Sequence, residues 1–342
     1  MSGRKRAGSL LLFALILVLT YWTLFSKQDL GQVWGAVRTM NPLLLLPALG
    51  AALAFVALEG TMIWIMLRKA GESISLGRCV VYSFVGFFYS AITPSATGGQ
   101  PVQLYYMKRD RLDLAKCSLT LMTVAFLYKL ALVVVGAFML VFWLSPLRQY
   151  MRQYFALFLL GLVLNLVVIA LLLAVMRRPG WIRGLGQGCI RLLRGVHLLP
   201  ADGAAETRLD GFVHQYGRVA RFFGRQKALL VGLFFLTLVQ RSTLFFLTYA
   251  VYRGLGLHET GAVTVILLQA SVYIAVDMLP VPGAQGVTEL VYQTVFATVF
   301  GSALLVPSLL VSHGANFYFP LVVSAVVLLA EKAWNRRCRR WN

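Results

Sequence analysis

The sequence predicts an all-α, polytopic integral membrane protein. About six full transmembrane helices and two oppositely oriented re-entrant helical hairpins form an inverted repeat. Three observations lead there. Of 342 residues, 59% are hydrophobic and only 13% charged, and the apolar residues gather in runs long enough to cross a bilayer. Two Pro/Gly/polar breaks, at residues 92–106 and 278–292, interrupt those runs at corresponding places in the two halves. The 32 Lys and Arg, against 12 Asp and Glu, collect on one side of the resulting layout.

Arg4-Lys5-Arg6 precedes an apolar run over 9–25, read as an uncleaved first span because no small-residue cleavage site follows Tyr21-Trp22. Residues 27–41, with Trp34, suit the outer interface. The second span, 42–67, opens at Asn41-Pro42, with proline in the first turn. Residues 79–93 are apolar but cover only about 22 Å, short of the ~30 Å hydrocarbon core. The break at 94–101 follows, then a shorter piece to Lys108-Arg109. That combination reads as a re-entrant hairpin. Residues 117–143 and 154–176 are long enough to span.

Residues 177–227 differ, with ten Lys/Arg against three Asp/Glu. Leu209, Phe212, Val213, Tyr216, Val219, Ala220 and Phe223 keep helical spacing, and Arg218, Arg221 and Arg225 fall opposite. An amphipathic basic helix on an anionic membrane surface is expected. A less regular one is expected over 181–199, with a surface loop at Asp202-Gly203. Residues 228–252 span again, the short segments 262–279 and 284–300 flank the second break, and 303–330 make the last span. The whole forms one domain, 1–342, with repeats at about 42–143 and 228–330.

With the N-terminus inside, the inner segments hold 25 Lys/Arg and the outer ones five. Both termini are thus expected in the cytoplasm of a cell-membrane protein. The first hairpin enters from the cytoplasm and the second from outside. The halves also align. Gly99-Gln100-Pro101-Val102 lies over Ala284-Gln285-Gly286-Val287, and Tyr106 over Tyr292. Upstream, Arg68-Lys69-Ala70-Gly71 matches Arg253-Gly254-Leu255-Gly256.

Charges within spans are expensive and mark functional candidates. Here they are Glu59, Lys129, Arg241, Asp277 and Glu289. They either pair with one another, Glu59 with Arg241 or Lys129, or line a cavity for a charged or zwitterionic headgroup. The breaks add Thr97, Gln100 and Gln103 on one side and Gln285 and Thr288 on the other. Pro94, Gly98, Gly99 and Pro101, then Pro280, Pro282, Gly283 and Gly286, turn the chain. Broken helix ends expose N–H and C=O groups that protein, water or ligand must satisfy. Arg109, just inside the first hairpin, is a candidate phosphate partner. His313, Asn316 and Asn165 read as interhelical hydrogen-bond formers.

Cys79, Cys117, Cys189 and Cys338 are scattered, and so are the four histidines. No disulfide framework, metal site or cofactor is suggested. No nucleotide loop, HExxH, DxD or nucleophile elbow appears, so a transporter is expected rather than an enzyme. The basic charge belongs to membrane topology and anionic phospholipid, not nucleic acid.

The stretches from Thr93 to Pro101 and from Leu279 to Glu289, the second closing in Gly286-Val287-Thr288-Glu289, resemble the signatures of the lysylphosphatidylglycerol synthase transmembrane, or flippase-like, family. That family includes the membrane half of the bacterial multiple peptide resistance factor and stand-alone proteins. No aminoacyl-transferase domain follows here, so lipid synthesis is not implied. The resemblance implies translocation of a phospholipid, aminoacylated phosphatidylglycerol among the candidates, by the break residues and intramembrane charges. The alternative is a membrane enzyme or accessory subunit for an isoprenoid or glycolipid. Membrane lipids, a lipid-synthase partner and a second copy of the chain are the expected partners.

Overall fold

The computed structural model describes residues 40–93, 97–195, 203–279 and 286–338, with 31, 35 and 38. The expected first span, 9–25, lies outside these residues. All regular structure among the described residues is helical. Twelve α-helices follow in order: α1 (Pro42–Lys69), α2 (Leu76–Ala91), α3 (Gly99–Arg109), α4 (Leu114–Phe142), α5 (Leu144–Met151), α6 (Phe155–Arg177), α7 (Pro179–Gly195), α8 (Ala204–Arg225), α9 (Lys227–Gly254), α10 (Ala262–Val276), α11 (Val287–His313) and α12 (Phe319–Cys338). A π-helical turn, Gly314–Tyr318, joins the last two.

Five helical stretches are long and apolar enough to cross a membrane: Leu43–Lys69, Leu114–Phe142, Leu144–Arg177, Lys227–Gly254 and Val287–Ala333. They contain the five expected full spans that fall within the described residues. Helix starts follow local chemistry. Asn41 accepts a hydrogen bond from Leu43 N–H at 3.0 Å, and Asp113 from Lys116 N–H at 2.9 Å. Residues 287–313 form one helix by hydrogen bonding, but Gly301, at φ 67° and ψ 168°, breaks its path.

The two halves share their turns. After α1, Gly71 sits at φ 84°, with Glu72 N–H bonded to Leu67 C=O. After α9, Gly256 sits at φ 80°, with Leu257 N–H bonded to Tyr252 C=O. Both are Schellman closures around a left-handed residue, the conformation glycine takes without a Cβ penalty. The second short helix of each unit also ends at a positive φ, at Arg111 (63°) and at Gly301 (67°). Helices α1 and α9, 28 residues each, pack along one another.

Two apolar clusters fill the interior. One takes Met62 to Leu67 of α1, Cys117 to Leu127 of α4, Leu233 of α9 and Leu328 of α12. The other takes Phe55 and Val56 of α1, Leu132 and Met139 of α4, Leu244, Phe245 and Tyr252 of α9, and much of α10 and α11. Along each of α1, α4 and α9 the clusters are separated by a short interval. Those intervals hold Glu59, then Tyr128 and Lys129, then Gln240 and Arg241.

Helix α8 does not lie on a lipid surface by its apolar face. Val213, Tyr216 and Phe223 are buried, and the last two belong to the first cluster, with residues of α1, α4 and α9. Gln215 donates to Asp113 and the Tyr216 hydroxyl meets Met122 Sδ at 3.3 Å. Protein contact wins because the apolar stripe matches the ends of three neighbouring helices. The less regular α7 is the helix with an open apolar face, at Trp181, Leu185 and Leu192. Its arginines hold α8 through Arg183–Asp210 (2.9 Å) and Arg194–Glu206 (2.7 Å).

Close approach of α6 to α10 depends on Gly161, where an added Cβ would fall 2.0 Å from Ile274 O. Gly161→Ala is expected to cost about 2 kcal/mol through forced separation of the two helices. Gly188→Ala on α7, with open space around it, should gain up to about 1 kcal/mol from helix propensity. Thermal unfolding of the two variants in detergent distinguishes them.

Candidate functional site

The polar layer between the clusters lies at the middle of the long helices. Lys129 and Arg241 fall within about a residue of the centres of α4 and α9, and Glu59 about 5 Å from that of α1. Two short helices bring further groups to this level. Helix α10 ends at Val276, and Asp277 directly after it meets α4. Lys129 Nζ lies 2.5 Å from Asp277 Oδ2, and the Tyr128 hydroxyl donates to Asp277 Oδ1. From the first hairpin, Gln103 of α3 donates through Nε2 to Glu59 Oε1 at 2.7 Å. Gln103 reaches that position because Gly86 of α2 leaves room: an added Cβ there would stand 2.2 Å from Gln103 Nε2.

The pairing differs from the sequence expectation. Lys129 takes Asp277, not Glu59, because the end of α10 arrives beside it. Glu59 makes no ion pair within 4 Å with Arg241 among the described residues, and Gln103 satisfies it instead. Arg241 is 8% exposed, and its guanidinium lies between two rings. Its Cζ is 3.6 Å from the Tyr128 ring centroid and 4.5 Å from that of Phe55. Its Nε is buried without a hydrogen-bond acceptor among the described residues. Gln240, one residue before, donates to Phe55 C=O at 2.8 Å and fixes that ring's backbone. Above the layer, Asn316 in the π-helical turn donates to the Tyr273 hydroxyl at 2.6 Å. Such turns often mark functional positions.

The remaining candidates are more dispersed. Gln100 Nε2 donates to Leu121 C=O at 3.4 Å, and Gly98 N–H to Thr93 Oγ1 at 2.9 Å. Pro101 sits in the first turn of α3, where its missing N–H costs nothing. Thr97 lies in the turn before α3 and Thr288 in the first turn of α11. Glu289 turns back on its own helix start, with Oε2 accepting Gly286 N–H at 2.5 Å and Oε1 buried without a partner among the described residues. Pro94, Pro280, Pro282, Gly283 and Gln285 lie outside the described residues. Asn165 bonds within its own helix, to Gly161 C=O at 2.8 Å, rather than across helices.

Arg109 stands in a separate charged junction at the basic end of the molecule. Glu331 of α12 accepts from Arg109 Nη2 at 2.5 Å and from both terminal nitrogens of Arg78, at 2.6 and 2.9 Å. Asp110 takes Arg78 Nε at 2.5 Å and the Tyr82 hydroxyl at 2.6 Å. The junction ties both arms of the first hairpin to the last helix. Glu331, Phe55, Tyr128 and Tyr273 escaped the sequence reading. An acid at a predicted tail and aromatics in apolar spans carry no pattern of their own.

Burial alone would raise the Asp110 carboxyl, but hydrogen bonds from Arg78 and Tyr82 outweigh it and hold the group below its ordinary 3.8. A depressed carboxyl adds stability above its unfolded value and loses it as pH falls through the folded one. The junction's contribution should therefore hold from neutral pH down to about pH 4 and decline below it. Asp110→Asn should remove that acid-side decline in melting temperature. In the polar layer, Asp277→Asn strands Lys129 and should cost about 3 kcal/mol. Adding Lys129→Met should recover part of the loss, as a thermal double-mutant cycle reads directly.

Among curated proteins no match to this chain was found. The model of the family described as the lysylphosphatidylglycerol synthase TM region matches residues 7–324. With its apolar spans, that match makes this a multi-pass membrane protein with a membrane-lipid-related role. The chain belongs to the lysylphosphatidylglycerol synthase transmembrane-region family.

Proposed function

We propose that this chain moves a phospholipid between bilayer leaflets, its headgroup passing through the mid-depth polar layer while the acyl chains stay in lipid. The reading rests on Arg241: a cation at the centre of a membrane-length helix, nine-tenths buried, lying over two rings, its Nε without an acceptor among the described residues. A headgroup phosphate supplies the missing acceptor, and Glu59 suits an amine on the same headgroup. Aminoacylated phosphatidylglycerol is one such lipid.

In this reading α2–α3 and α10–α11 are re-entrant hairpins, entering from opposite sides of a plasma membrane whose cytoplasmic face carries the basic end and both termini. Helices of 16 and 15 residues and the matched Gly71 and Gly256 turns support it. The layer holds two acids and two bases, so an empty site leaves little net charge. The chain acts as a transporter rather than an enzyme, receiving lipid from a separate synthase.

Purified protein in vesicles with headgroup-labelled phospholipid tests this. Wild type should accelerate leaflet exchange. Arg241→Met should lower the acceleration at least tenfold yet raise the melting temperature, because an arginine at a helix centre with no acceptor among the described residues costs about 3 kcal/mol. A structural arginine would give the opposite sign of stability change. No acceleration by wild type for phosphatidylglycerol, its aminoacylated form or a polyprenyl phosphate overturns the proposal.

A further inference from the structure

The basic end carries a second anion-binding feature, separate from Arg241. Arg218, Arg221 and Arg225 recur at helical spacing on the outer face of α8, with Phe222 exposed among them. They line a groove of about 300 Å³ closed by Gln226. An adjoining groove of about 340 Å³ shares Arg218 and Phe222 and runs to Lys69 and Gly71 at the end of α1. Gly71 leaves that side open, since nothing lies within 4 Å of where its Cβ would be.

The acids that could neutralise these cations are engaged elsewhere. Glu206 and Asp210, on the first half of α8, pair with Arg194 and Arg183. Glu72, next to Gly71, pairs with Lys116 at 2.7 Å. Asp113 caps α4 and takes Gln215. Among the described residues no acid lies within 4 Å of Lys69, Arg218, Arg221 or Arg225. The feature also has a fixed depth. Helix α1 ends at Lys69 and α9 begins at Lys227, and both are membrane-length. The grooves therefore sit beside the ends of two membrane-length helices, where those helices stop.

We infer that this double groove is a docking site for an anionic phospholipid of the adjacent leaflet. Arginines hold the phosphate, and Phe222 packs on the glycerol and first methylenes. Fixed attachment of α8 through Tyr216 and Phe223 makes it a built groove, not a helix floating on charge. It gathers lipid at the surface, whereas Arg241 lies at mid-depth.

Binding is read without transport, so the two proposals fail separately. The full chain in neutral detergent is titrated with dioctanoyl-phosphatidylglycerol, dioctanoyl-phosphatidylcholine and glycerol 3-phosphate, following melting temperature and bound lipid. Phosphatidylglycerol should bind, weaken with added salt, and outcompete phosphatidylcholine. Each arginine near the headgroup contributes about fivefold, so R218Q/R221Q/R225Q should bind roughly a hundredfold more weakly. Arg191→Gln on α7, outside the groove, should bind as wild type does, and the triple substitution should weaken binding by the same factor in an Arg241→Met background. Unchanged binding by the triple variant in the Arg241→Met background, or equal binding of phosphatidylcholine, overturns the inference. Glycerol 3-phosphate binding as tightly as the lipid would make this a free-phosphate site and overturns it too.

Discussion

The Lys129–Asp277 pair is the contact on which the interior arrangement depends. A helix that stops inside a bilayer leaves carbonyls and charges that lipid cannot satisfy. Here α10 stops at Asp277, and its carboxylate is met at once by Lys129 and Tyr128 from the centre of α4. The pair lets a short helix end among long ones. It also occupies Lys129, and Arg241 makes no ion pair within 4 Å among the described residues.

The same depth is reached from the other hairpin by a different chemistry. Gln103 brings a neutral donor to Glu59, and glycine at position 86 makes the room. The two walls are thus unlike: one is an ion pair at a helix end, the other an amide against a carboxylate along a helix. Between them Tyr128 serves both, donating its hydroxyl to Asp277 and offering its ring to Arg241. An arginine stacked but not hydrogen-bonded keeps its N–H groups available in their planar fork. The two rings offset part of the cost of burying its charge.

At the basic end, the charges sort into two kinds. Arg78, Arg109, Asp110 and Glu331 neutralise one another and lock helices together. Arg218, Arg221 and Arg225 have no such partners and face outward. The distinction follows from which helix ends meet. The arms of the first hairpin converge on α12, whereas the arginines of the outer face of α8 meet no acid within 4 Å among the described residues.

Much of this was legible in the sequence. Long apolar runs, two Pro/Gly interruptions and five intramembrane charges mark helices, breaks and a polar layer. Those signals are local or compositional, because lipid penalises every polar group irrespective of its neighbours. Partner choice was not legible. Glu59 could face either cation in the sequence; helix rotation and the end point of α10 assigned Lys129 to Asp277. The stripe on α8 is equally apolar against lipid or protein, and only packing shows that protein covers it. Glu331 reads as a tail residue until α12 places it between two arginines. The chain itself determined where helices run and where they break, through periodicity and the solvation cost of polar groups. Tertiary structure alone decided which charges cancel and which remains open, because that depends on distances between helices far apart in sequence.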